Sequence, residues 1–122
     1  MPNEVRILSG DEVLTQIGLK RRIPRKGFRC KPRAQESALS LLLGRWDVDW
    51  AVRTAFGRDA AGEDMVRHTT ATRIAEAGFR VILDKDPYPA HVSVEFDGQW
   101  TDEVCERFHR CFETAKEGGR GG

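Results

Sequence analysis

His91 is the residue best suited to moving a proton, since an imidazole titrates nearest neutral pH and Asp84, Asp86 and Glu95 lie close by in sequence. It begins a strand directly after Asp86-Pro87-Tyr88-Pro89 and faces away from Val92, Val94 and Phe96. A general acid or base at His91, oriented by Asp86 or Glu95, is one expectation. Spacing fixes no nucleophile beside it, so the simpler expectation is a structural histidine whose ring nitrogens bond to backbone and tie the turn to the strand. No catalytic residue is assigned on the sequence, and His91 stays a candidate.

A second chemistry is electrostatic. Lys20, Arg21, Arg22, Arg25, Lys26, Arg29, Lys31 and Arg33 are eight bases within fourteen residues, with no acid among them. The formal net charge of +1 conceals this polarity. Residues 1–45 hold ten Lys or Arg against four Asp or Glu, and residues 46–122 hold ten against fifteen. Such a segment can grip the acidic face of a partner protein, which is the leading expectation. It can also neutralise phosphates, with Phe28 as a stacking side chain, but no helix-turn-helix, zinc finger or RNA-binding signature accompanies it. Pairing of the basic and acidic regions of two copies would give self-association.

Metal and redox chemistry have weaker support. Cys105 and His109 share one face of a helix at four-residue spacing, with Asp102 and Glu106 nearby, yet a zinc site needs three or four ligands. Cys30, Cys105 and Cys111 fit neither a disulfide framework nor a Cys-x-x-Cys pair, and buried reduced thiols are expected, with Cys105 half-buried beside a solvated His109. No metal or cofactor is assigned. Phosphate-loop, EF-hand and Gly-x-Ser-x-Gly patterns do not occur, which sets aside P-loop NTPase, calcium-loop and α/β-hydrolase readings.

The elements that must position these residues follow from local signals. Residues 4–8 and 12–19 alternate around Ser9-Gly10-Asp11 and read as two short strands or a hairpin. Ile23-Pro24 and Lys31-Pro32 make the basic segment extended or looped. Ala38 to Leu43 reads as a strand ending at Gly44. Asp47 caps a short helix reaching Phe56, and residues 57–64 are a loop. A second helix runs from Thr69 or Thr70 to Gly78. Phe79–Leu83 and His91–Phe96 are adjacent strands, and Thr101 caps a last helix whose stripe is Val104, Phe108, Cys111, Phe112 and Ala115. Trp46, Trp50 and Trp100 are expected as core and rim anchors.

That order predicts an α+β fold: a small, mostly antiparallel sheet with two or three helices on one face. Residues 1–116 form a single domain in this reading, with a glycine-rich disordered tail over 117–122. The 122 residues, 39% hydrophobic and 32% charged, are those of a soluble domain large enough for a real core. No stretch suits a secretory signal or a membrane span, so a cytoplasmic address without a membrane partner is expected.

Arg21-Arg22-Ile23, Ala38-Leu39-Ser40-Leu41, Thr70-Ala71-Thr72-Arg73 and Asp86-Pro87-Tyr88-Pro89-Ala90-His91-Val92 together resemble a diffuse set of small uncharacterised bacterial proteins. Those carry Arg-Arg-Ile, a Leu-Ser-Val strand and an Asp-Pro-x-Pro turn leading to a histidine. The resemblance implies no activity; it suggests, by analogy with accessory proteins of bacterial operons, a partner-binding role.

Overall fold

Antiparallel pairing between segments distant in sequence organises the chain. The computed structural model describes residues 5–20 and 27–112. Six strands, β1 (Arg6–Leu8), β2 (Val13–Leu19), β3 (Ala38–Leu43), β4 (Asp64–Thr70), β5 (Arg80–Leu83) and β6 (His91–Glu95), form one antiparallel sheet in the order β1-β5-β6-β3-β2-β4. With helices α1 (Val48–Phe56), α2 (Ala71–Glu76) and α3 (Asp102–His109), this is a small α+β fold. The two N-terminal strands do not form a hairpin: β1 pairs with β5 at one edge, whereas β2 pairs with β3 and β4.

Alternation along each strand separates two cores. On one face Leu14, Leu39, Leu41, Val81, Val92 and Val94 pack against Ala71 and Ile74 of α2 and Val104, Cys105 and Phe108 of α3. On the other, Leu42 and Val66 pack with Ala51 of α1, flanked by Ile17, Val48 and Tyr88. Thus α2 and α3 share a face, and α1 covers part of the opposite one.

Each helix starts where a side chain satisfies an open N–H. Asp47, Thr70 and Thr101 accept from the backbone of Trp50, Arg73 and Val104 respectively. The entry to α1 is fixed by buried Thr15, whose hydroxyl donates to the Gly44 carbonyl at 2.6 Å and accepts from the Trp46 N–H at 3.1 Å. Gly44 is required there, since its φ is 116° and a Cβ would lie 2.8 Å from Trp46 Nε1.

The strand β4 occupies Asp64, expected in a loop, the unassigned residues 65–68, and Thr69 and Thr70, where the second helix was expected to begin. Its Arg67 is buried on the face of α3, with its guanidinium carbon 4.4 Å from the Phe28 ring centroid and 4.0 Å from that of Phe112. Nε donates to Gln16 Oε1 at 2.7 Å, while Nη2 is buried with no hydrogen-bond partner. Desolvation pulls this guanidinium down to about 9, against the opposing pull of Cys30 and Cys111.

Ala115 and residues 117–122 lie outside the described residues. Among the described residues no helix is long and apolar enough to cross a membrane.

Candidate functional site

The site begins where the sheet divides. Strands β2 and β3 pair only at Leu14↔Leu43 and Thr15↔Leu42, after which β2 continues along β4 and β3 runs along β6. The loop after residue 26 fills part of the gap. Gln16 Nε2 donates to the Arg29 carbonyl at 2.7 Å, and Phe28 packs so near Gly18 that a Cβ on Gly18 would lie 2.7 Å from its ring. What remains is a cleft of about 260 Å³ whose lining includes Arg29, Arg33, Glu36, Ser40, Phe56 and Tyr88.

One wall of that cleft is a half-open strand edge. The Leu43 N–H donates to the Ala90 carbonyl at 2.8 Å, so at Leu42↔His91, Ser40↔Ser93 and Ala38↔Glu95 the β3 backbone groups point away from β6. Leu42 meets β2, but Ser40 and Ala38 lie beyond its last partner. Their N–H and C=O groups therefore face the cleft.

A chain of polar side chains crosses the sheet beside this edge. Register places Ser40, Ser93 and His91 on the face carrying α1, and Asp84 follows β5 on the same face. Asp84 Oδ1 lies 2.6 Å from His91 Nδ1, and His91 Nε2 lies 3.0 Å from Ser40 Oγ. Ser93 Oγ donates to the second Asp84 oxygen at 2.6 Å. Burial raises the Asp84 carboxyl, but hydrogen bonds from His91 and Ser93, the His91 charge and the Asp86 N–H outweigh it and hold the group below its ordinary value. An ionised Asp84 can only accept, so the ring nitrogen facing it, Nδ1, carries a proton, and Nε2 is the nitrogen that faces the Ser40 hydroxyl. Tyr88 meets the imidazole edge-on with centroids 5.3 Å apart. Burial, and then the charge of Asp84, pushes its phenol up to about 12, so it stays protonated at neutral pH.

His91 is buried, and its ring closes the turn from Asp84 as expected of a turn anchor. The means differ: both nitrogens meet side chains, where backbone partners were expected. The orienting carboxylate is also Asp84, not Asp86 or Glu95; Glu95 instead pairs with Arg80 at 3.2 Å. Ser40 was missed because its place opposite Ser93 depends on pairing two segments distant in sequence. The detectable signal was the alternation of Ala38–Leu43, which sets Ser40 and Leu42 opposite Leu39 and Leu41.

The basic segment is divided among environments. Arg29 and Arg33 line the cleft, Lys31 lies 3.2 Å from Asp102, and Lys20 is exposed at the end of β2. Arg21, Arg22, Arg25 and Lys26 lie outside the described residues. Phe28, expected as a stacking side chain, is buried in the core at 1% exposure and offers no face to a base. Cys105 is fully buried, not half-exposed, and its thiol donates to the Cys30 carbonyl. Among the described residues no cluster of three metal-binding side chains occurs.

No family model, curated protein or solved structure matches this chain.

Proposed function

We propose that this is a small accessory protein that takes an extended acidic segment of a partner protein onto the open edge of β3. The observation that carries this reading is the divided sheet: Ala38 and Ser40 present backbone donors and acceptors to a cleft that Arg29 and Arg33 also line. A partner strand would complete the ladder, and its alternate side chains would enter the cleft. Two arginines favour acidic side chains there, with Glu36 limiting how many are accommodated. The remaining bases from Lys20 to Lys26 add to the positive field by sequence. A cytoplasmic setting is part of the proposal, supported by three buried, free cysteines. Burial of Phe28 removes the stacking element that the nucleic-acid reading relied on.

The test uses a fluorescent peptide of alternating Glu and Val beside a matched Gln and Val peptide. The acidic peptide binds, moves the amide resonances of Ala38 and Ser40, and loses about tenfold in affinity in the Arg29→Ser, Arg33→Ser variant. Equal binding of the neutral peptide, or amide shifts that spare β3, would refute the proposal. Displacement by single-stranded RNA at low salt, with a steep loss as salt rises, would assign the cleft to nucleic acid.

A further inference from the structure

We infer that Ser40, His91 and Asp84 form a nucleophile, base and orienting carboxylate that hydrolyse small carboxylic esters bearing a second, anionic group. Three independent features meet at this point. The first is the hydrogen-bonded chain itself: Ser40 Oγ to His91 Nε2 at 3.0 Å and His91 Nδ1 to Asp84 Oδ1 at 2.6 Å, with Ser93 steadying the second carboxylate oxygen at 2.6 Å. These are the distances at which a hydroxyl hands its proton to an oriented imidazole. Here His91 is buried and Ser40 is exposed in the cleft, so a bound substrate can reach the hydroxyl.

The second feature is the Ser40 N–H. It points from the free half-edge of β3 into the same cleft, on the residue that would carry the acyl group, where it can donate to a developing oxyanion. The third is the cleft's composition. Phe56 and Tyr88 give it apolar surface, and Arg29 and Arg33 give it positive charge for the substrate's anionic group.

Ser40 Oγ bonds to the ester carbonyl carbon while its proton passes to His91 Nε2. The carbon–oxygen bond to the alcohol then breaks, and the alcohol leaves with that proton. Water next attacks the acyl-Ser40 ester and gives a proton to Nε2, which returns it to the departing Ser40 Oγ. The products are an acid and an alcohol, the balance of a simple hydrolysis. Throughout, Asp84 holds the ring orientation and offsets the imidazolium charge. Asp84 is therefore a positioning residue.

The test uses mono-4-nitrophenyl succinate, the neutral 4-nitrophenyl butyrate and a fluorophosphonate label. The full chain hydrolyses the succinate ester and takes one label on Ser40, located by peptide mass spectrometry. Ser40→Ala alters an exposed side chain and leaves the fold intact, so its loss of both signals by about a hundredfold or more reports chemistry. Asp84→Asn keeps some label but lowers kcat. Arg29→Ser with Arg33→Ser raises KM for the succinate ester severalfold more than KM for the butyrate ester. Label placed elsewhere, or hydrolysis by Ser40→Ala at the parent rate, would overturn the inference. Peptide binding at β3 uses backbone groups that Ser40→Ala retains, so the failure of this inference is distinguishable from failure of the proposed function.

Discussion

Replacing Arg67 tests how a positive charge is tolerated inside the larger core. Burial pulls its guanidinium down to about 9, a desolvation cost on the order of several kcal/mol at about 1.4 kcal/mol per pH unit. Against this stand two close aromatic faces, Phe28 at 4.4 Å and Phe112 at 4.0 Å, each contributing about 2 kcal/mol when desolvated. The charge-assisted bond to Gln16 adds about 2 kcal/mol. The opposing contributions nearly cancel, so the cation holds its place with little net gain, consistent with an unpartnered Nη2. Arg67→Met removes both the charge and the unpartnered nitrogen and keeps an unbranched side chain between the rings, while stranding Gln16 Oε1. The expected loss is about 1 kcal/mol. Arg67→Lys keeps a charge that is more strongly hydrated and lacks the planar face that lies against the rings, so it loses about 3 kcal/mol. Urea unfolding followed by far-UV circular dichroism and tryptophan fluorescence measures both, provided the m-value is unchanged. A lysine variant more stable than the methionine variant would refute this account, because charge alone would then be what the site requires.

Two further substitutions probe the elements that set the cleft. Thr15→Val preserves shape but leaves the Gly44 carbonyl and the Trp46 N–H without their partner at the entry to α1. It should cost about 2 to 3 kcal/mol in the same urea assay; a loss under about 0.5 kcal/mol would show that other groups fix this corner. Asp84 titrates below its ordinary value in the folded chain, so the unfolded chain binds its proton more readily. Its contribution is present above the unfolded carboxyl value near about 4 and is lost as pH falls through the lower folded value. The stability gap between parent and Asp84→Asn should therefore narrow from pH 6 to pH 3 in equilibrium unfolding, and a gap that widens on acidification would reverse the assignment.

The amino-acid sequence by itself determined the elements whose signals lie within a few residues of one another. Asp47, Thr101 and the Thr69-Thr70 pair mark the helix starts by supplying side-chain acceptors, and Asp47, Thr70 and Thr101 cap the helices in the fold. The alternation of His91–Glu95 placed His91 opposite Val92 and Val94 before any pairing was known. Strand β4 escaped because Arg67 and His68 interrupt its apolar pattern; Arg67 is accommodated by rings from Phe28 and Phe112 and by the Gln16 side chain, all far away in sequence. Register was equally hidden, since β1 could have paired with its neighbour in sequence, and the partner it takes is β5. The cleft is wholly a tertiary product. It exists because β2 and β3 separate after two paired positions, with Gly18 letting Phe28 pack close beside the gap. His91 stood out in the sequence as a candidate, but the hydroxyl and carboxylate that meet its nitrogens were chosen by the β3–β6 register and the turn after β5. Side-chain type and alternation are local properties of the chain; which distant strand lies alongside is decided by the joint burial of both sheet faces.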